Sequence, residues 1–598
     1  MNSPILKTFS SIVLFRRAFY KYKRGIAALI GLGFLSGILG GVGIGAIIPL
    51  FSFVSGQIAV NDPVSKILKW AFGVIGVEFS LSLVVTILVL LFVFKAVFLY
   101  FANLISAKVA LDYERRTREE LFKHTMVANW HYLKDHKIGY LSQMVVDDIN
   151  VSASLLSNIS MVILSATSVI AYIAVAVGIS LSVTIAAIII GLGMFFIFKP
   201  FFFKIRKLSK QAVRISKEAA HYINQHLLGA KTVKSMAVED KVLEGGMAYF
   251  KELARAKFNL ARYNNFMGNF LEPLTLAVII PIFLFSYKSS SFNIASFAAI
   301  LYLVQKIFSF VQTIQIRISL INQGIPNLTA VLNYQTEAKR HKEQVGGGDD
   351  FKFDFSLKFE GVVFNYDEAE EKILDGLNLT VNKGEMLGLI GHSGSGKTTI
   401  ADLLMRLFEP KSGKITVDGK ELSATNVARW RKNVGYVSQE MLLLNDTIAN
   451  NIRFYGDGIS DENIIEAAKL ANIYDFITQR PENFNAMVGE RGLKLSAGQR
   501  QRIVLARVLA RKPKILILDE ATSALDNESE VAIQNALEKL RGKITVIIIA
   551  HRLSTLSNAD RLVVLENGKI AEEGSPKSLL ENTNSRFYQI YQAGTGKQ

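Results

Sequence analysis

The residues with the clearest chemistry form a glycine-rich loop between an apolar run and an amphipathic stretch. Gly391, Gly396, Lys397 and Thr398 fit the P-loop pattern G-x-x-x-x-G-K-[ST]. In a strand-loop-helix setting, the backbone N–H groups of such a loop wrap phosphates at the helix N-terminus. The lysine then reaches the terminal phosphates, and the threonine hydroxyl ligates Mg²⁺. A chance glycine-rich turn is the competing interpretation. The residues predicted to contact phosphates are Gly391, Ser393, Gly394, Ser395, Gly396, Lys397, Thr398 and Thr399.

Acidic residues follow a second apolar run downstream, at 515–518. A carboxylate at the end of a buried strand beside a P-loop is where Mg²⁺ is held, so we predict that Asp519 binds the metal together with Thr398. Glu520 is then placed to polarise the attacking water. A third apolar run ends in His551, a candidate contact to the γ-phosphate, although an isolated histidine is more often a packed or surface residue.

The composition places these motifs in a membrane protein. Of the 598 residues, 50% are hydrophobic and 20% are charged. The net charge of +17 could indicate a nucleic-acid partner, but the basic residues flank apolar stretches, as the positive-inside rule predicts, so we expect no nucleic acid. The chain has no cysteine, which excludes disulfides, thiolate metal sites and cysteine nucleophiles.

Apolar stretches long enough to cross the bilayer recur along the first half of the chain. We place six spans at about 25–54, 81–107, 155–177, 181–203, 266–285 and 292–325. Residues 8–24 predict an amphipathic surface helix, and the glycines at 33, 37, 41 and 45 form a ridge that allows close helix packing. Basic residues in the long loops 111–150 and 204–262 place these loops and both termini in the cytoplasm.

The predicted fold class is therefore multi-domain. An all-α six-helix transmembrane domain (residues 1–340) is followed by a linker (341–352) and by an α/β P-loop nucleotide-binding domain (353–598).

The segment Leu495 to Arg502, LSAGQRQR, resembles the signature of ABC-type ATPases, and the order of motifs around it matches that family across the domain. The resemblance implies ATP and Mg²⁺ as ligands. It implies that Tyr366 stacks on adenine and that Gln439 contacts Mg²⁺ and senses the membrane domain. Its further implications are ATP contacts across a dimer by Ser496, Gly498 and Gln499, a crosstalk role for Glu490, and a dimer contact at Asp526. Ala497 departs from the family, which usually has glycine there.

The N-terminal half resembles the exporter branch of that family, with six spans fused ahead of one ATPase domain. One P-loop and one signature per chain imply a dimer, and the intact catalytic elements favour a homodimer. By resemblance, Ile138 to Ile149 and Gly229 to Asp240 are coupling elements; otherwise they are solvated helical loops. We expect a multi-pass protein of a prokaryotic inner membrane, in contact with membrane lipids, with a cytoplasmic ATPase domain.

Ionisable residues inside the bilayer indicate the class of substrate that is transported. Each is costly to insert, so its presence needs a functional reason. Lys95 and Lys306 lie at similar mid-membrane depth, and the last span carries a polar stripe that includes Gln305 and Gln312. We hypothesise a cavity for an amphipathic substrate with an anionic head, such as a lipid or lipid-linked saccharide. Internal pairing of Lys306 with Glu272 and a hydrogen-bonding seam between helices are the alternatives. A drug or peptide exporter is the competing function, followed by an ATP-gated channel or regulator.

Overall fold

The computed structural model describes residues 13–46, 50, 80–135, 144–179, 181–287, 294–347, 352–366, 371–439, 441–520, 527–550 and 556–595. The chain divides into two compact units. The first, here called the membrane unit, comprises Met1–Val127 and His136–Arg340, and the second, the nucleotide unit, comprises Ala128–Asp135 and His341–Gln598. The short stretch 128–135 therefore groups with the nucleotide unit, although it lies inside the predicted transmembrane domain.

Helices, most of them long, make up the described part of the membrane unit. They are α1 (Lys23–Gly45), α2 (Leu81–Met126), α4 (Ile149–Ile179), α5 (Leu181–Leu228), α6 (Ala230–Ser235), α7 (Glu239–Tyr287) and α8 (Ile294–Arg340), while α3 (Trp130–Asp135) belongs to the nucleotide unit. Within the described residues, three helices are long and apolar enough to cross a membrane, at Val13–Gly45, Leu81–Val127 and Met144–Ile179. The spans predicted at 181–203, 266–285 and 292–325 overlap α5, α7 and α8. Most of the segment between the first two predicted spans lies outside the described residues.

Close packing of α1 on α4 explains the glycine ridge. A Cβ atom added to Gly33 would lie 2.7 Å from Thr167 Oγ1, and one added to Gly41 would lie 2.8 Å from a Val175 methyl. A Cβ atom added to Gly37 would lie 3.1 Å from the Cα atom of Ser168 on α4. These helices can approach only because α1 presents hydrogen atoms instead of side chains on this face.

The nucleotide unit alternates strands and helices. Its strands are β1 (Ser356–Phe364), β2 (Leu374–Asn382), β3 (Met386–Gly391), β4 (Ser412–Val417), β5 (Lys420–Glu421), β6 (Val434–Val437), β7 (Ile515–Asp519), β8 (Thr545–Ile549), β9 (Arg561–Glu566) and β10 (Lys569–Gly574). Its helices after α3 are α9 (Lys397–Leu404), α10 (Val427–Asn433), α11 (Ile448–Arg453), α12 (Asp461–Leu470), α13 (Tyr474–Thr478), α14 (Ala497–Leu509), α15 (Asn527–Leu540), α16 (Pro576–Glu581) and α17 (Arg586–Thr595).

Two sheets organise this unit. A six-stranded sheet runs β10-β9-β3-β8-β7-β6, with β9, β3, β8, β7 and β6 parallel, and a four-stranded antiparallel sheet runs β2-β1-β4-β5. Every residue of β3, β7 and β8 is buried, as expected for parallel strands covered on both faces. The carboxyl ends of β3 and β7 therefore bring the P-loop and Asp519 to one edge of the sheet.

Candidate functional site

The loop between β3 and α9 has the backbone that its glycines require. Gly391, Gly394 and Gly396 have φ values of 153°, 83° and 100°, a region that side chains disfavour. A Cβ atom on Gly391 would lie 2.3 Å from the carbonyl oxygen of Leu565. The Oγ atom of Ser395 is buried and has no hydrogen-bond partner in the described structure, so the loop holds a free polar group as well as backbone donors. Such a cradle fits phosphate oxygens.

The side chain of Lys397 binds the backbone of this loop. Its Nζ atom donates hydrogen bonds to the carbonyl oxygens of Gly391 and His392, at 2.8 and 2.9 Å. Burial lowers the pKa of Lys397, and the carboxylates of Glu520 and Asp519 act in the opposite direction. The carboxylates of Glu520 and Asp519 therefore favour the charged form of this ammonium group.

Asp519 is buried at the end of β7 and accepts hydrogen bonds from two hydroxyl groups. The Tyr436 hydroxyl donates at 3.2 Å and the Thr398 hydroxyl at 3.4 Å. Burial raises the pKa of Asp519. A carboxylate and a hydroxyl oxygen this close are the hard oxygen ligands that Mg²⁺ prefers, so the pair fits the predicted metal role.

Glu520 directly follows the strand, and its backbone adopts a φ value of 49°. Its N–H group donates to the carbonyl oxygen of Ile549 at 2.8 Å, which ties it to β8. The Gln439 side-chain amide donates to a Glu520 carboxylate oxygen at 2.8 Å. The residue predicted to contact Mg²⁺ thus orients the predicted catalytic carboxylate in this structure.

Tyr366 lies just after β1 and is half-buried against the strand core. Its hydroxyl is 3.1 Å from the hydroxyl of Thr399 and donates to Asp402 at 3.2 Å. The rings of Phe364 and Phe408 stand almost perpendicular to it, at 5.0 and 5.2 Å. The predicted adenine-stacking ring is therefore fixed to the same helix, α9, that begins at the P-loop.

The signature segment forms the beginning of α14. Ser496 caps this helix with a capping box: its hydroxyl accepts from the Gln499 N–H at 3.2 Å, and the Gln499 side chain accepts from the Ser496 N–H at 2.9 Å. Ala497 begins the helix, and Gly498 is buried. His551 and Asp526 lie outside the described residues.

Asp402 and Tyr436 also belong to this cluster, although the sequence analysis did not select them. Asp402 lies four residues after Thr398 and so occupies the same face of α9, a signal that was available in the sequence. Tyr436 lies on β6, which pairs in parallel with β7. Only the strand order places its hydroxyl beside Asp519.

The pH dependence of stability tests the environment of Asp402. Burial raises the pKa of Asp402 to about 6, Asp519 acts in the same direction, and the Tyr366 hydroxyl and Lys134 oppose it. Because the folded-state pKa exceeds the unfolded value of about 4, the stabilising contribution of the protonated carboxyl is complete below pH ~4 and is lost as the pH rises through ~6. We expect Asp402→Asn to raise the free energy of unfolding at pH 8 by about 1–2 kcal/mol, allowing for solvent screening, and to have little effect at low pH.

Denaturant unfolding of the full-length protein, followed by tryptophan fluorescence to which the buried Trp430 contributes together with Trp70 and Trp130, measures this difference. Asp457→Asn, which changes an exposed carboxylate of the same unit, is the matched control. A wild-type pH slope in Asp402→Asn would contradict the assigned environment.

A second polar cluster lies in the membrane unit. Lys95 on α2 is half-buried and donates to the hydroxyl of the buried Tyr172 on α4, at 2.9 Å. A Cβ atom on Gly40 would lie 2.8 Å from Lys95 Nζ, so the glycine makes room for the ammonium group. Lys306 on α8 lies over the Tyr302 ring at 5.4 Å. Leu303 and Ile307, on either side of it, pack in the same apolar cluster as Tyr172, so the two lysines share one region of the membrane unit.

The other polar groups predicted for the cavity lie along α8. Gln305 is exposed in the single chain, and Gln312 is half-buried. Among the described side chains no carboxylate pairs with Lys95 or Lys306, and the side chain of Glu272, the predicted alternative partner, lies outside them. Arg317 donates to Asn158 on α4 at 3.1 Å, so this guanidinium has a polar partner between helices.

Known proteins resemble this chain over nearly its whole length. The family description "ABC transporter transmembrane region" matches residues 30–314, and "ABC transporter" matches residues 374–523. A Staphylococcus aureus ATP-binding/permease protein named for multidrug export is 30% identical, with 80% of this chain and 83% of that protein covered. The heterocyst differentiation ATP-binding protein HepA of Nostoc sp. is 29% identical, with coverage of 94% and 93%.

A relative with a more specific name matches a smaller part. The alpha-hemolysin translocation ATP-binding protein HlyB of Escherichia coli is 44% identical over 272 residues, which cover 45% of this chain and 37% of HlyB. The solved structure of a bacterial Atm1-family ABC exporter with ATP bound aligns with a TM-score of 0.76 at 25% identity, covering 97% of this chain and 98% of that one. The chain therefore belongs to the ABC transporter family, as an exporter whose helical transmembrane unit precedes one ATP-binding unit and whose ATPase is coupled to transport.

Proposed function

We propose that this exporter moves an amphipathic substrate with an anionic head, such as a lipid or a lipid-linked saccharide. The observation that carries the proposal is the pair of lysines, Lys95 and Lys306, which the packing of α2, α4 and α8 brings to one region of the apolar membrane unit without a carboxylate partner among the described side chains. Two cations in a medium of low dielectric constant are unfavourable unless an anion joins them. A phosphate or carboxylate head between them would supply that counter-charge.

The surroundings of Lys95 support a role in binding. Its ammonium group donates to a neutral hydroxyl, that of Tyr172, and lies 5.5 Å from the ring centre of Phe92. These contacts orient the cation and leave its charge uncompensated. Its remaining donors are available to a substrate oxygen.

Export of a drug or peptide is the second candidate. The names of two relatives favour it, since one is named for multidrug export and another for translocation of alpha-hemolysin. On that view the lysines would serve packing between helices.

We further propose how the nucleotide unit is used. The P-loop and Lys397 would hold the phosphates of ATP, Tyr366 would stack on adenine, and Glu520, oriented by Gln439, would polarise the attacking water. Mg²⁺, held by Thr398 and Asp519 and approached by Gln439, would neutralise charge on the phosphates. His551 would contact the γ-phosphate.

The assembly we propose is a homodimer in a prokaryotic inner membrane, with the nucleotide units in the cytoplasm. Each chain has one P-loop and one signature, and Ser496, Gly498 and Gln499 of one chain would face the ATP held by the other. Ala497 places a methyl group at the beginning of that helix, where the family usually has glycine.

Removing the two cations tests the substrate class. We expect the double variant Lys95→Met with Lys306→Met to raise the concentration of anionic lipid that half-stimulates the ATPase roughly tenfold or more, as loss of two charge-assisted contacts predicts. The measurement is ATPase activity in lipid nanodiscs, titrated with anionic glycolipids and, separately, with peptides and cationic drugs.

Lys123→Met is the matched control, since Lys123 is exposed near the end of α2 and lies outside the cluster of Lys95, Tyr172 and Lys306. Unchanged stimulation in the double variant would contradict the cationic site. Stimulation of the wild type by drugs or peptides alone would favour the second candidate.

A further inference from the structure

The short helix α3 is fastened to the nucleotide unit by backbone and aromatic contacts. Ala128 forms an antiparallel bridge with Lys342, and the Asn129 N–H donates to the carbonyl oxygen of His341 at 2.8 Å. The ring of the buried Tyr132 stacks on His341, with centres 5.0 Å apart and planes 13° from parallel. In sequence, α3 follows α2 after only three residues, so this segment directly follows a membrane-length helix.

This helix places a cation on the ring of Tyr366. The Nζ atom of Lys134 lies 4.5 Å from the Tyr366 ring centre and 5.9 Å from that of Phe408. The carboxyl of Asp402, which accepts from the Tyr366 hydroxyl, attracts the same ammonium group. Lys134 is therefore drawn to this position by both a π face and a negative charge.

Lys134 covers one face of the Tyr366 ring. Tyr366 packs against the strand core, where Phe364 is buried, and its hydroxyl is fixed to Thr399 and Asp402. Lys134 is itself exposed, so the face that it covers adjoins solvent. A base that stacks on an aromatic ring needs that face at van der Waals distance and cannot share it with an ammonium group.

We propose that Lys134 competes with the adenine base for the face of Tyr366 that adjoins solvent, so that binding of ATP displaces Lys134 and weakens the hold on α3. The proposal rests on the adenine-stacking role proposed above for Tyr366. Because linkage is reciprocal, a segment that loses affinity for the nucleotide unit when ATP binds must itself weaken ATP binding when it is in place. Lys134 is thus a positioning residue that couples base occupancy to the hold on α3, the helix that directly follows α2.

Calorimetric titration of the full-length protein in nanodiscs with ATP and Mg²⁺ tests the competition. We expect Lys134→Met to lower the Kd of ATP by about threefold to fivefold, the size expected for loss of one competing cation–π contact. Lys134→Arg keeps the cation and should match the wild type, as should the control Lys123→Met. Inorganic triphosphate has no base, so its Kd should not fall in Lys134→Met.

The Tyr366→Leu background separates the possible failures. In that background Lys134→Met should no longer tighten ATP binding, because the contested ring is gone. An unchanged or weaker ATP affinity in Lys134→Met, with Tyr366→Leu still impairing ATP binding, would overturn the competition and leave the nucleotide site intact. An ATP affinity unaffected by Tyr366→Leu would instead overturn the adenine role of Tyr366, and the competition with it.

Discussion

Glu520→Gln is expected to lower the ATPase rate by a factor of about 10²–10⁴ while leaving ATP binding intact, as loss of a general base predicts. The substitution keeps the size of the side chain and an oxygen that can accept the Gln439 amide hydrogen bond, seen here at 2.8 Å. It removes only the negative charge that polarises water. The loss should therefore appear in kcat, with little change in the Kd of ATP.

Steady-state phosphate release and ATP binding by the same preparation measure the two quantities. Glu482→Gln, which changes an exposed carboxylate elsewhere in the nucleotide unit, should behave as the wild type. A Glu520→Gln protein that hydrolyses ATP at more than a tenth of the wild-type rate would remove Glu520 from the catalytic role.

Lys397→Met is expected to weaken ATP binding by about 10- to 100-fold, the range for loss of one or two hydrogen bonds from a charged group. Two effects combine. The phosphates lose their cation, and the carbonyl groups of Gly391 and His392 lose the donor that holds the loop closed. Methionine retains the length of the buried stem, so packing beneath the loop is preserved.

Titration of the purified protein with ATP measures this effect, with Lys411→Met as the control because Lys411 is an exposed lysine of the same unit. Intact ATP affinity in Lys397→Met, or an equal loss in Lys411→Met, would contradict the role given to the loop lysine.

The strand, glycine-rich loop and helix at the P-loop could be predicted because their conformation depends on local sequence. The backbone angles at Gly391 and Gly396, and the strand and helix on either side, follow from residues within about ten positions of each other. Asp402 also had a local signal, since it lies one helical turn after Thr398. That turn alone did not show that its carboxyl would meet the hydroxyl of Tyr366.

Lys134 could not have been predicted in the same way. Its partner Tyr366 is more than 200 positions away in sequence, and no motif surrounds it. From the sequence, residues 128–135 belong to the long cytoplasmic loop 111–150 of the transmembrane domain, whereas the folded chain groups them with the nucleotide unit. Likewise, the depth of Lys95 could be counted from sequence, but its contact with Tyr172 depends on how α2 and α4 pack.

We propose that ATP hydrolysis by this protein moves a substrate with an anionic head across the membrane. The most direct measurement is the transfer of fluorescent lipids between leaflets of proteoliposomes, detected by a quencher that cannot cross the bilayer. We expect ATP-dependent transfer of a lipid with an anionic head, no transfer of a cationic lipid with the same chains, and no transfer by Glu520→Gln. Transfer of cationic drugs or peptides without movement of the anionic lipid, or equal lipid transfer by Glu520→Gln, would contradict it.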